Sequence, residues 1–323
     1  MKLQQLRYIN EIKRNGYNIS LTSHQLYTSQ PGISKQVSLL EDELGVKIFD
    51  RQGKHLSGPT NVGKEILNEA SKILEIEDRI KAISSEVTSP KKGKLNIFTT
   101  NAIANFILPK SVRYLLTSYP NVSLHMSTIE PSHLNNSLPA GPGDIAIVAQ
   151  DIEEMAGLTV LPAYKWSLSL IIPSEHPLSK THTLTLEQIA KEKLISYELK
   201  STGRIAIDNT FSQLGLTPDY IVTAMDVEVI KEYVSKGVGI GIIASVAAHS
   251  IDDSFTVRSL EGFFPDCYAW LCFGKNVYLQ TYMYDFIEKL APHLTKVVIE
   301  QTKHMTKSEL IDWFKTVPLH TYK

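Results

Sequence analysis

The feature that most constrains the fold is a row of apolar residues repeating every seven positions between residues 61 and 87. Two offset rows form one stripe, interrupted only by Glu69, whose apolar members are Val62, Ile66, Ile73, Ile76, Ile80, Ile83 and Val87. This spacing is typical of a coiled coil, so we interpret the segment as a dimerisation helix. The alternative is an amphipathic helix packed on its own domain. In either case the helix separates two regions with different patterns.

The region before this helix has the pattern of three short helices. The first ends near Gly16, and Ser20 is placed to cap a second helix that runs to about Tyr27. Pro31 suits the first turn of a third helix, which Gly45 ends. Two short helices joined by a tight polar turn predict a helix-turn-helix.

Two brief strands, at about residues 48–50 and 55–57, follow as a basic hairpin, or wing. Residues 1–58 carry eight Lys/Arg and five Asp/Glu, a net charge of +3, whereas the whole chain has −1. Short polar and basic side chains at the start of the third helix and on the wing suit base edges and phosphates. The predicted DNA contacts are Ser29, Gln30, Pro31, Ser34, Lys35, Gln36, Arg51, Lys54 and His55. For each charged member the alternative is an ordinary solvated surface charge.

Beyond a Pro- and Gly-containing linker at residues 88–93, predicted strands alternate with helices. This alternation predicts an α/β fold overall with mostly parallel strands, and about 200 residues favour two subdomains. The predicted domains are a winged helix-turn-helix at 1–60, a dimerisation helix and hinge at 61–92, and an effector-binding domain at 93–323. Within the last, subdomain I covers about 93–163 and 268–293, subdomain II about 164–267, and a tail 294–323.

Two turns in the α/β region suit a small anion. One follows the first strand and contains Thr100, Asn101 and Ala102; the other begins a helix with Ser201, Thr202 and Arg204. Helix N-termini attract anions, hydroxyls donate hydrogen bonds, and a guanidinium adds charge. For Thr202 the alternative is helix capping alone.

Other functional classes find little support in the sequence. The two cysteines, Cys267 and Cys272, form neither a disulfide framework nor a zinc site. The ten histidines are scattered, and none of the common nucleophile, phosphate-loop, dinucleotide or zinc motifs occurs. No signal peptide and no apolar run of 18 residues is present. We therefore expect a cytoplasmic protein with no metal, no cofactor, no membrane and no enzymatic activity; a solute-binding protein or enzyme remains the disfavoured alternative.

The sequence also resembles a known family. The segments SQPGISKQV at 29–37, LEDELG at 40–45 and IFDR at 48–51 resemble the LysR-type transcriptional regulators. LYTSQPGISKQV, GKHL, TGR and YMYDFIEKLAPHLT are most similar to the CysB type, which regulates cysteine biosynthesis and sulfur assimilation. The likeness runs over essentially the whole chain.

The resemblance implies an effector domain of two subdomains like a small periplasmic binding protein, and a homotetramer that binds and bends duplex promoter DNA. It implies RNA polymerase as a candidate partner and places Thr100, Thr202 and Trp166 in the pocket of a small anionic, sulfur-related effector. The chain departs from the CysB type at Ala102 and Ile103, where Thr and Gln are usual. A regulator of another pathway with a non-sulfur effector is the alternative.

Overall fold

The computed structural model describes residues 1–53, 55–128, 143–149, 158–199, 201–250 and 254–322. The chain forms two compact units, Met1–Ser84 and Ser85–Lys323. Among the described residues, no helix combines the length and apolar character needed to cross a membrane.

The first unit is a winged helix-turn-helix, as predicted. Its elements are α1 (Leu3–Arg14), α2 (Ile19–Gln25), α3 (Gln30–Leu44), β1 (Phe49–Gln52), β2 (His55–Pro59) and α4 (Asn61–Thr88). Apolar faces of the first three helices meet in a buried core that includes Ile9, Ile33 and Leu40. The antiparallel β1–β2 hairpin lies beside it, and Phe49 joins the core from β1.

The start of α2 differs from the prediction. Asn18, not Ser20, caps the helix, because its side chain accepts a hydrogen bond from the Leu21 amide at 2.9 Å. Ser20 lies one residue inside the helix, and its hydroxyl bonds the Gln30 side chain at 3.3 Å. The helix also ends earlier, at Gln25.

Helix α4 carries two apolar stripes rather than one. Leu67 and Ala70 are buried in the core of the first unit, and Ile66 packs partly against it. The other members of the predicted seam are exposed over 36% to 81% of their surface: Val62, Ile73, Ile76, Ile80, Ile83 and Val87. The helix therefore packs on its own domain and still presents an apolar row to the surroundings.

The second unit is an α/β structure with two sheets. Its helices are α5 (Asn101–Phe106), α6 (Leu108–Ser118), α7 (Leu186–Ile189), α8 (Thr202–Gln213), α9 (Val227–Ser235), α10 (Thr281–Leu290), α11 (Lys296–Thr302) and α12 (Lys307–Thr316). Its strands are β3 (Lys92–Thr99), β4 (Asn121–Thr128), β5 (Asp144–Val148), β6 (Leu158–Trp166), β7 (Leu168–Pro173), β8 (Lys193–Tyr197), β9 (Asp219–Ala224), β10 (Ile240–Ala244), β11 (Phe255–Ser259), β12 (Cys267–Gly274) and β13 (Thr321–Tyr322).

The strand order is β13-β6-β12-β5-β3-β4 in the six-stranded sheet and β11-β7-β10-β8-β9 in the five-stranded sheet. Five of the nine strand pairings described in these sheets are parallel, so the expectation of mostly parallel strands is confirmed by a narrow margin. The four antiparallel pairings all involve β7 or β12, the strands that begin just after the chain passes from one sheet to the other. The first crossing occurs at Ser167, the single residue between β6 and β7.

Candidate functional site

The start of α3 is built as the sequence suggested. The Ser29 hydroxyl accepts a hydrogen bond from the Gly32 amide at 3.2 Å, and Pro31 stands in the first turn, where a missing amide proton costs nothing. Ser29, Gln30 and Pro31 are exposed, and Lys35 is exposed on the side of α3 away from the buried Ile33 and Val37. A helix can offer these side chains to a DNA groove without disturbing the core.

Ser34 and Gln36 are half-buried. The backbone carbonyl of Gln36, and not its side chain, accepts a hydrogen bond from the Gln5 side chain at 3.4 Å. On the wing, Gln52 pairs with His55 and Arg51 with Leu56, and both Arg51 and His55 are exposed near the hairpin end. The predicted contact Lys54 lies outside the described residues.

Glu41 is a residue that the sequence did not single out as important for the site. Its side chain is fully buried, and one carboxylate oxygen accepts hydrogen bonds from the amides of Ile48 and Phe49 at 2.9 and 3.3 Å. The other oxygen pairs with Lys47 at 3.0 Å. The carboxylate thus fixes the start of the wing to the last turns of α3, which holds the two predicted DNA-contacting elements together.

The predicted effector residues also converge, in the second unit. Thr100 stands at the N-cap position of α5 directly after β3, without a capping hydrogen bond from its side chain, and Ala149 follows β5, the strand parallel to β3. The Thr202 hydroxyl donates to the Ala149 carbonyl, which brings the first turn of α8 to the carboxyl ends of these strands. Parallel strands commonly bind ligands at this edge.

Two further contacts connect the elements around the candidate effector site. A Cβ placed on Gly203 would lie 3.3 Å from the Trp166 ring, so that ring packs on the first turn of α8. Asn101 donates to Asp226, the N-cap of α9, at 3.1 Å. Both contacts join elements of the two sheets. Asp226 was not predicted, although its position before an apolar helix is a recognisable capping signal.

Arg204 does not lie where an effector-binding role requires. It is 5% exposed; its Nε bonds Asp208 at 2.8 and 2.9 Å, and its Nη1 donates to the Tyr197 carbonyl at 3.0 Å. The guanidinium also stacks on the Tyr220 ring, 3.5 Å from the centroid. Asp208 balances the charge, and Nε and Nη1 are both hydrogen-bonded within the fold, so Arg204 supports the fold of α8. Ser201 caps α8 by accepting from the Arg204 amide.

Ala102 and Ile103 have unequal places in this site. Ala102 is half-buried on the first turn of α5, next to Thr100, whereas Ile103 is 6% exposed and belongs to the main core of the second unit. The departure at residue 103 therefore changes core packing rather than the donors available to a ligand. Only Ala102 bears on effector chemistry.

Two tyrosines, the buried Tyr197 and the half-buried Tyr220, contribute hydrogen bonds beside α8. Burial and the neighbouring Asp208 carboxylate raise the pKa of Tyr220 above its ordinary value, and burial raises the pKa of Tyr197. Both phenols therefore stay neutral over the physiological range. The Tyr220 hydroxyl donates to Asp208 at 2.8 Å, and the Tyr197 oxygen accepts from the Ala244 amide at 2.8 Å. This network fixes α8 against the sheet behind it.

Comparison with known proteins agrees with the fold of both units. The family "Bacterial regulatory helix-turn-helix protein, lysR family" matches residues 3–64, and the family "LysR substrate binding domain" matches residues 88–295. The chain is 38% identical to the HTH-type transcriptional regulator CysB of Haemophilus influenzae over 322 residues, covering 99% of this chain and 100% of that protein.

It is 33% identical to the HTH-type transcriptional regulator cbl of Escherichia coli over 314 residues, covering 97% and 99% of the two chains. The crystal structure of the cofactor-binding domain of the Cbl transcriptional regulator matches 67% of this chain and 95% of that one, with 30% identity and a TM-score of 0.63. These relatives are regulators, not enzymes. The chain belongs to the LysR family of transcriptional regulators.

Proposed function

We propose that this regulator controls genes of cysteine biosynthesis or sulfur assimilation. The sulfur assignment is supported by the resemblance to the CysB type over nearly the full chain. In this proposal α3 and the wing bind promoter DNA, α4 mediates self-association, and a small anionic effector binds between the sheets. RNA polymerase is the further partner that the resemblance implies.

The exposed first turns of α3 carry the DNA-binding part of the proposal. Lys35→Ala removes a donor that suits guanine, and should weaken binding to a promoter site by about 1–3 kcal/mol while leaving self-association unchanged. Binding is measured by gel shift across a salt series, because phosphate contacts make affinity fall with salt. Lys72→Ala, on an exposed part of α4, is the matched control. Unchanged promoter affinity for Lys35→Ala would exclude Lys35 as a base contact.

The convergence of Thr100, Ala149 and Thr202 carries the effector part. The dipole of α8 and the Thr100 hydroxyl favour an anion, and the Thr202 hydroxyl holds the start of α8 at the strand ends by donating to Ala149. The charge of Arg204 is balanced by Asp208. Trp166 and Ala102 add apolar surface. This combination favours an anion with an apolar portion over plain sulfate.

Calorimetry on the full-length chain with sulfate and with methanesulfonate tests this preference. Methanesulfonate should bind more tightly, and Thr202→Ala should weaken binding of either ion. Thr210→Ala is the matched control, since Thr210 lies on the same helix and its hydroxyl bonds the Ala206 carbonyl. Ala102→Thr should tighten sulfate binding by restoring a donor. Sub-millimolar sulfate binding that is insensitive to Thr202→Ala would contradict both the site and the preference.

If neither ion binds while Lys35→Ala still impairs promoter binding, a regulator of another pathway with a non-sulfur effector is favoured. Thermal-shift screening of the full-length chain against small metabolites then identifies the effector class.

A further inference from the structure

The last residues of the described chain return to the six-stranded sheet. After α10 the chain passes through α11 and α12, and β13 then adds a parallel strand to the edge of β6. Thr321 pairs with Lys165 and Tyr322 with Trp166, while the Lys165 amide donates to the His320 carbonyl at 3.0 Å. The tail therefore covers the part of β6 that ends at the crossing between the sheets.

At that point the tail meets the crossing itself. The Ser245 amide donates to the Ser167 carbonyl at 2.9 Å, and the two hydroxyls lie 3.2 Å apart. The Ser245 hydroxyl also lies 3.5 Å from the Tyr322 carbonyl. Ser245 directly follows β10 of the five-stranded sheet, so one side chain joins the tail, the crossing and the second sheet.

Side chains anchor the short strand. The Tyr322 ring packs edge-to-face on Tyr164, with centroids 4.8 Å apart, and its hydroxyl donates to the Leu290 carbonyl at 3.3 Å. Tyr164 is 1% exposed, so this contact reaches the core. Upstream, the Phe314 ring lies 5.2 Å from Trp270. A two-residue strand has few backbone hydrogen bonds, and these contacts explain why it stays in place.

The register of β13 connects the tail to the candidate effector site. Tyr322 pairs with Trp166, whose ring packs on Gly203 in the first turn of α8. We propose that β13 is a strap across the Ser167 crossing between the two sheets, and that Tyr322 is a positioning residue. Together with Ser245, Tyr322 holds this crossing and Trp166 against α8. Any effect on effector affinity rests on the proposed function, whereas the strap itself does not.

Hydrogen exchange of the full-length protein, measured by mass spectrometry without added ligand, tests the strap. A chain ending at Val317 lacks β13, and a chain ending at Tyr322 is the matched control, because it lacks only Lys323. Loss of the strap should speed exchange in the first turn of α8 and in β7 by about tenfold, the effect expected for one or two lost hydrogen bonds. Exchange in β3 and α6 should not change.

Ser245→Ala distinguishes a strap that holds the Ser167 crossing from a tail that only covers the edge of β6. It should speed exchange in β7 and the start of α8 while Lys165 stays protected, because the tail remains docked. Tyr322→Phe keeps the ring contact and loses only the hydrogen bond to Leu290, so its exchange should be closer to the wild type than to the shortened chain, whereas Tyr322→Ala should resemble the shortened chain.

The strap is overturned if the chain ending at Val317 changes only the exchange of Lys165 and Trp166. It is also overturned if the chain ending at Tyr322 behaves like the shorter one. Because no ligand is present, neither result bears on the effector proposal, and a failure of sulfate or methanesulfonate to bind does not bear on the strap.

Discussion

Glu41 is a fully buried carboxylate in the DNA-binding unit, and its hydrogen bonds to Ile48, Phe49 and Lys47 make it important for stability. Glu41→Ala leaves two amides without their acceptor and should lower the free energy of unfolding by about 3 kcal/mol. Glu41→Gln keeps one acceptor and should cost less. Urea denaturation measures both, with the exposed Asp42→Asn as control. Equal stability of Glu41→Ala and Asp42→Asn would contradict this role.

Tyr27 has a positive φ of 48° and is 98% exposed, in the turn between α2 and α3. Left-handed backbone costs most side chains about 1–2 kcal/mol, and asparagine tolerates it better. We therefore expect Tyr27→Asn to raise the melting temperature. Tyr17 also has a positive φ, 64°, but its ring packs on Phe49 with centroids 6.1 Å apart, so Tyr17→Asn should lower it. A lower melting temperature for Tyr27→Asn would show that the side chain has a stabilising contact.

Arg204 shows what the sequence can and cannot predict about a single residue. Its place at a helix start was predictable, and so was Asp208 four positions later on the same helix face. The stacking on Tyr220 and the bond to the Tyr197 carbonyl depend on strands that meet α8 only in the folded chain. A charged residue at a helix start is therefore not sufficient evidence of a ligand site, because the fold itself can use the charge.

At the scale of elements, α4 carries the prediction about assembly. Ile73 and Ile80 are 36% and 62% exposed on the stripe that the first unit leaves free. Replacing both with Glu would place charge in an apolar seam, so the double variant should sediment as smaller species than the wild type. Lys72→Glu with Arg79→Glu adds more negative charge beside the seam and is the control. Wild-type sedimentation of the seam variant would place the contact between copies elsewhere.

Strand β6 shows why some strands are hard to predict from sequence. Pro162 interrupts its sequence, and proline is unfavourable inside a sheet because it lacks an amide proton. The register opposite Pro162 shifts between Ala269 and Trp270, and His293 bonds the Pro162 carbonyl at 2.8 Å, so the strand accommodates the proline. Only the tertiary structure supplies these partners. By contrast, the long periodic segments α3 and α4 were predicted well, because their own sequence determines them.

At the scale of the whole chain, the two units have separate cores. The core of the first unit ends with residues of α4 such as Ala70, and the main core of the second begins at Leu95. The sequence predicted a division near residue 93 from the composition of the linker. The last turn of α4 was not recognisable as part of the second unit, because its partners lie about 200 residues away in sequence.

Those partners lead to a prediction about where the second unit begins. Gln280 donates to the Ser85 hydroxyl at 2.7 Å, and the Glu86 carboxylate accepts from the amide and hydroxyl of Thr281, the first residue of α10. An acceptor and a negative charge at a helix N-terminus are both stabilising. A fragment of residues 85–323 should therefore be more stable than one of residues 92–323, by about 1–3 kcal/mol.

Urea denaturation of the two fragments measures the difference, and Glu86→Ala in the longer fragment should account for much of it. Glu86→Gln keeps one acceptor oxygen but loses the negative charge, so its stability should lie between that of the unchanged longer fragment and that of its Glu86→Ala variant. Lys91→Ala is a control within the same segment, since Lys91 is exposed. Equal midpoints for the two fragments would mean that the end of α4 adds nothing to the stability of the second unit. The second unit would then begin near residue 93, as the sequence predicts.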